Sequence, residues 1–150
     1  MRAGEYCIRE VVVVQKESTV IEAARLMRDY HVGDLVVVEK MGGERIPVGI
    51  VTDRDIVVEV IANEADYLTS LRVGDIMNMD LVTAREDESL SDALKKMCSH
   101  GVRRVPVVNE RGGLEGILSV DDLIEQVCDE LTDITRLIAW QQKREKEERD

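Results

Sequence analysis

The sequence predicts an α/β (α+β) fold made of two β-α-β-β-α repeats related by a pseudo-two-fold axis, with a C-terminal helical extension. Three observations carry this. First, residues 2–40 lie over residues 72–110 without a gap, at a constant offset of 70: Arg2-Ala3-Gly4-Glu5 matches Arg72-Val73-Gly74-Asp75, and Val37-Val38 matches Val107-Val108. Second, within each copy β-branched runs alternate with a stretch of helical apolar spacing. Third, that spacing continues past the second copy as far as Ile138, longer than one repeat needs. A copy of under 70 residues buries little core alone, so the two are expected to pack together. The expected divisions are 1–66 for the first repeat, 67–130 for the second with a short connector near 63–71, and 131–150 for the extension.

Each copy opens with a short β-rich run, Val11–Val14 and Leu81–Thr83. A helix follows. Thr19-Val20-Ile21-Glu22 is a capping box, and Ser89-Leu90-Ser91-Asp92 puts the shorter acid in the same place. Val20, Ala23, Ala24 and Met27, like Leu90, Ala93, Leu94 and Met97, then form one apolar face, with the methionines as core filler. Leu35–Val38 and Val105–Val108 begin hairpins that return as Val48–Val51 and Glu115–Leu118. After Gly42-Gly43, matched by Gly112-Gly113, the offset falls to 67, and the three extra residues of the first copy are expected in a loop. A last helix runs from Asp53 to about Ala62, and its counterpart starts at Val120 and continues well beyond. Its stripe of Leu123, Ile124, Val127, Cys128, Leu131, Ile134, Leu137 and Ile138 is expected to meet a second copy, with Trp140 near the edge. The tail 141–150 alternates charge and is expected to be solvated.

Bulk properties remove several function classes. The composition is 44% apolar and 34% charged, enough of each for a packed interior and a solvated exterior. No apolar run approaches the roughly 20 residues that span a bilayer, and Met1 to Glu5 lacks the apolar core of a signal peptide, so the cytoplasm is the expected location. A net charge of −11 opposes nucleic-acid binding, and one Trp, three Tyr and no Phe offer no stacking platform. Cys7, Cys98 and Cys128 lack zinc-site spacing and read as small buried hydrophobes in a reducing compartment. His31 and His100 follow helical patterns without a second ligand at metal spacing, which points to capping or packing. Nothing resembles a nucleophile with its base or a phosphate-binding Walker loop, so no enzyme is expected.

One device occurs twice. Gly49-Ile50-Val51-Thr52-Asp53-Arg54-Asp55 returns as Gly116-Ile117-Leu118-Ser119-Val120-Asp121-Asp122, an apolar strand that turns into a charged helix start. Thr52-x-x-Asp55 and Ser119-x-x-Asp122 are helix N-terminal caps in any protein. The same residues also suit a ligand: the glycine allows close approach, the helix start offers N–H groups to a phosphate, and Asp55 can accept two hydrogen bonds from a ribose diol. Arg103-Arg104, entering an apolar strand, need either a carboxylate such as Asp121 or Asp122, or an anion. The first copy has Gly33-Asp34 there, so the halves are not equal.

The doubled Gly-h-h-Ser/Thr-x-x-Asp, where h is apolar, together with His100-Gly101-Val102-Arg103-Arg104-Val105-Pro106, resembles a tandem pair of cystathionine-β-synthase-type (CBS) domains, a Bateman module, over residues 2–130. That family binds adenine nucleotides and related adenosyl ligands in clefts between paired domains, and it dimerises. The resemblance implies ribose contacts from Asp55 and Asp122, with Thr52 and Ser119 beside phosphate or ribose. It places Arg54, Arg103 and Arg104 near phosphate, and Thr83, Val105 and Pro106 around adenine. No metal site is implied. The expected ligands are AMP, ADP, ATP, NAD or S-adenosylmethionine, and the expected partners are a second copy and a separate effector protein. A dimerising scaffold without a small ligand is the alternative.

Overall fold

The computed structural model describes residues 1–149 and divides the chain into two units, Met1–Leu118 and one beginning at Ser119; the final residue of the tail lies outside the described residues. The two repeats form sheets of the same order. One is β1 (Val13–Val14), β2 (Asp34–Met41) and β3 (Glu44–Thr52); the other is β4 (Ala84–Arg85), β5 (Arg104–Val108) and β6 (Leu114–Ser119). β1 runs parallel to β2 and β4 to β5, while β2 and β3 are antiparallel.

The helices between first and second strands begin where their caps place them. For α2 (Val20–Tyr30), the Thr19 hydroxyl accepts the Glu22 N–H at 3.1 Å and the Glu22 carboxylate accepts the Thr19 N–H at 3.1 Å. For α6 (Leu90–His100), the Ser89 hydroxyl accepts the Asp92 N–H at 3.1 Å. Both end on a left-handed residue, His31 (φ 54°) and Gly101 (φ 63°), which are matched in the repeat. His31 is therefore a C-cap. Val20, Ala23 and Met27, and likewise Leu90, Ala93 and Met97, are the buried faces.

Three details depart from the expectation. The three extra residues do not enlarge a loop: β2 and β3 stay paired from Asp34↔Thr52 to Met41↔Glu44, around a turn in which Gly42 and Gly43 both have positive φ. Such a two-residue turn matches strand twist, so pairing runs to the tip, and the surplus is absorbed as longer strands with a register shift between Val37 and Val38. The second copy's opening strand is Ala84–Arg85 rather than Leu81–Thr83. In the first copy Val13 pairs with Val36; the matched position is Pro106, which has no N–H for a ladder. The helix after β3 is also irregular. It begins as α3 (Asp53–Asp55), widens to a π-helix over Ile56–Ile61 and ends as α4 (Ala62–Glu64). The β-branched Ile56, Val57, Val58, Val60 and Ile61 crowd an α-helical turn, which favours the wider winding.

Two four-residue helices, α1 (Ala3–Tyr6) and α5 (Val73–Ile76), carry no periodic signal in the sequence. Each opens an arm that bonds to the opposite repeat. The Ala3 N–H donates to the Glu88 carbonyl (2.9 Å) and the Val73 N–H to the Ser18 carbonyl (2.8 Å); Gly4 bonds Glu86 (3.0 Å) and Gly74 bonds Lys16 (2.9 Å). Farther along, Ile8 exchanges both backbone bonds with Ile117 on β6, and Asn78 exchanges both with Ile50 on β3. Every pair has its counterpart under the repeat alignment, which is a pseudo-two-fold within the first unit. Val73, with Leu71, Ile76 and Met77 from the second arm, joins the first repeat's core around Val20, Leu35 and Val51. On the other face of the first sheet, Val36 and Val38 pack with Leu114 and Ile117.

The second unit holds α7 (Val120–Arg149), with Asp121 and Asp122 in its first turn. Leu123 is buried, whereas Ile124, Val127, Leu131, Ile134, Leu137, Ile138 and Trp140 are exposed. No helix among the described residues is long and apolar enough to cross a membrane. Of the cysteines, only Cys7 is buried; Cys98 and Cys128 are exposed, against expectation. Cys98 follows Met97 and so lies about 100° around the helix from the buried face. Burial pushes the Cys7 thiol above its ordinary pKa, opposed by the nearby Arg9 charge.

The arm crossings leave no room for a side chain on the strand beneath. A Cβ on Gly49 would stand 2.9 Å from the Asn78 carbonyl oxygen, and one on Gly116 would stand 2.7 Å from that of Ile8. Gly49→Ala and Gly116→Ala are each expected to destabilise the protein by about 1–3 kcal/mol, as overpacking against backbone does. Urea unfolding checks this, with the midpoint falling in both variants.

Candidate ligand-binding cleft

β3 ends at Thr52, and the cap there is closed in both directions. The Thr52 hydroxyl accepts the Asp55 N–H at 3.1 Å, and the Asp55 carboxylate accepts the Thr52 N–H at 3.0 Å. The capping role is thus real. A carboxylate has about four acceptor positions, so the cap leaves Asp55 able to receive further donors, and it opens onto a cleft. This cavity of about 270 Å³ lies wholly within the first unit. Ile50, Thr52 and Asp55 form one side, and Asn78, Asp80, Leu81 and Val82 of the second arm form another. Val102, Arg103, Arg104 and Asp34 complete it. The arm's position follows from the paired Ile50–Asn78 bonds, and Asp34 lies directly across the β2–β3 ladder from Thr52.

Local chemistry along the wall is set by one imino acid. In the first copy, the Val36 N–H donates to the Val12 carbonyl at 3.2 Å. The matched pair is Pro106 and Val82, and proline has no N–H to give. Val82, a lining residue of the cleft, is therefore denied the backbone donor that its counterpart Val12 has. Leu81, Val102 and Ile50 supply apolar surface beside it.

Charge in the cleft is mixed: Asp34, Asp55 and Asp80 against Arg103 and Arg104. Both arginines are exposed at the start of β5, so the burial cost that their sequence position suggested does not arise. Arg104 pairs with Asp34 at 3.7 Å. These residues hold the same place in the two copies, so the carboxylate partner is the arginine's own repeat counterpart.

The cleft thus gathers Thr52, Asp55, Arg103 and Arg104 from the residues singled out by sequence. The others lie elsewhere. Arg54 is exposed outside the lining residues, its N–H bonded to the Asp53 carboxylate at 2.8 Å. The Thr83 carbonyl accepts a hydrogen bond from the Lys96 ammonium at 3.4 Å. Val105 and Pro106 are buried within β5. Ser119 is buried at the end of β6, and Asp122 belongs to the second unit. Sequence reasoning missed Asn78 and Asp80, which occupy an irregular segment without periodicity. It noted Asp34 as a departure between the copies, and that was the available signal for its place in the site.

The CBS domain family model matches residues 3–62 and 73–129. The chain belongs to that family and carries the domain twice. It is 35% identical over 122 residues to the CBS domain-containing protein YhcV of Bacillus subtilis, covering 81% of this chain and 82% of YhcV. It is 32% identical over 122 residues to the uncharacterized protein MK0525 of Methanopyrus kandleri, matching 81% of this chain but spanning only 60% of that protein. Among solved structures, the cytosolic domain of the Mg2+ channel MgtE in complex with ATP aligns with a TM-score of 0.69 at 29% identity, over 83% of this chain and 48% of that one. The CBS domain pair of protein MJ0100, in complex with 5′-methylthioadenosine and S-adenosyl-L-methionine, shares the fold with a TM-score of 0.72 at 22% identity, over 87% of this chain and 98% of that one.

Removing the capping hydroxyl separates the two roles at β3. Thr52→Val is expected to cost about 0.5–2 kcal/mol, the range for a lost N-cap. A thermal melt without ligand, compared with the parent chain, reads the effect.

Proposed function

We propose that this chain is a non-catalytic regulatory module that binds an adenosyl ligand in the cleft of its first unit and acts as a homodimer. The observation that carries the reading is the Val82 wall. A backbone carbonyl deprived of its ladder donor, flanked by Leu81 and Val102, suits an exocyclic amine on an aromatic base held between aliphatic side chains. Asp55 and Thr52 line the cleft together with Arg103 and Arg104, which supports a ribose diol donating to Asp55 and a phosphate met by the arginines. ATP bound to the related MgtE domain supports the same ligand class. AMP, ADP, ATP, NAD and S-adenosylmethionine remain the candidate set. Ser119 and Asp122, with Arg54, Thr83, Val105 and Pro106, belong to the wider set that the family resemblance implies. The divisions 1–66, 67–130 and 131–150 are the proposed functional segments, and the regulated target is a separate protein met in the cytoplasm. The closed Thr52–Asp55 cap favours the second reading, a scaffold whose aspartates only cap.

The dimer reading rests on α7. Ile124, Val127, Leu131, Ile134 and Ile138 follow one another at alternating steps of three and four residues, the spacing of a helix–helix seam. The seam stops at Gln141 and Glu145.

Two measurements test these readings. A ligand at about 100 times its dissociation constant adds roughly 2.7 kcal/mol, so at least one of the five candidates is expected to raise the melting temperature of ligand-free protein by several degrees. In Asp55→Ala that shift is expected to disappear. If the variant loses stability but keeps affinity, Asp55 acts only as a cap; flat melting curves across all five ligands leave the scaffold reading instead. For the dimer, Leu131→Glu combined with Ile138→Glu changes two exposed residues and is expected to halve the mass in sedimentation equilibrium while helix content is kept; an unchanged mass rules out the α7 seam.

A further inference from the structure

We propose that Asp34 is a specificity-determining residue that sets the charge of the ligand this cleft accepts, by holding Arg104 away from phosphate. The expected preference is for a nucleoside or its monophosphate over di- and triphosphates. This deepens the adenosyl reading and rests on it for the base and ribose.

The argument is geometric. Asp34 lines the cleft with a side chain only 15% exposed, and its carboxylate stands 3.7 Å from the Arg104 guanidinium, itself 45% exposed. An arginine that reaches a ligand phosphate must give up or share that carboxylate. The lining carries three aspartates and two arginines, one negative charge in excess, so each added phosphate meets both a competitor for Arg104 and like charge. Asp34 is one of the three carboxylates, and neutralising it would balance the lining charges. Its counterpart in the other repeat is Arg104, so the two stand face to face where the repeats meet, and opposite charge is the arrangement that avoids repulsion there. The carboxylate that joins the halves is thereby the one that discourages polyphosphates.

The test compares Asp34→Asn with the parent chain by calorimetric titration of adenosine, AMP, ADP, ATP and inorganic pyrophosphate in a divalent-free buffer. Adenosine affinity is expected to change by less than about twofold, with the gain growing from AMP to ATP and reaching roughly tenfold, as expected when a charge-assisted contact is freed. The gain should vanish in Asp34→Asn/Arg104→Gln, since the two residues act as one unit. Arg104→Gln alone, at an exposed position, should weaken ATP more than adenosine, which keeps the proposal open to failure should Asp34→Asn not fold. An unchanged ligand order, an equal gain for adenosine and ATP, or a gain that survives Arg104→Gln overturns it. A pyrophosphate gain with no adenosine binding to either protein upholds the role of Asp34 and removes the adenosyl reading. Binding of no probe to any variant overturns both.

Discussion

The exchange of N-terminal arms is the constraint on which the first unit depends. Ile8 and Ile117 share two backbone bonds, and so do Asn78 and Ile50. Each arm covers the outer edge of the other repeat's sheet, β6 in one case and β3 in the other, edges that would otherwise present unpaired N–H and C=O groups. Val73, Ile76 and Met77 also fill core space over the first repeat. A repeat without its partner therefore lacks part of its sheet edge and part of its interior. Gly49 and Gly116, which head the doubled motif, are glycines because an arm backbone passes directly over them.

The cleft follows from that exchange. Asn78 brings Asp80, Leu81 and Val82 against the end of β3, where Thr52 and Asp55 close the helix cap. The cap uses one acceptor position of the Asp55 carboxylate and leaves others, so the proposed ligand contact does not compete with capping. The cavity of about 270 Å³ sits just below the roughly 300–1,000 Å³ of ordinary small-molecule sites.

The differences between the copies have physical causes. Identical residues at positions 34 and 104 would put like charges opposite each other; Asp34 and Arg104 instead attract. Pro106, at the position matched to Val36, has no N–H for the parallel ladder, so the second copy's opening strand begins one matched position later, at Ala84. Asp34 and Arg104 line the cleft, whereas Pro106 is buried within β5 at the position matched to Val36. These differences make the cleft chemically distinct from anything a strictly symmetric pair would form.

Much of this was legible in the residues. The offset of 70, the caps at Thr19 and Ser89, and the faces containing Met27 and Met97 specify strand and helix order, because they depend on local hydrogen bonds and on periodicity. Thr52, Asp55, Arg103 and Arg104 could be named for the same reason: each stands at an element boundary with recognisable chemistry. The arms could not be named, since α1 and α5 are too short for a periodic signal and their bonds join residues about 30 to 110 positions apart. Asn78, Asp80 and the Asp34–Arg104 pair entered the site through those distant contacts. The burial of Cys7, but not of Cys98 or Cys128, likewise depends on what each packs against. Local pattern dictated which elements form; which of them meet, and hence what lines the cleft, was decided by backbone groups that find partners far along the chain.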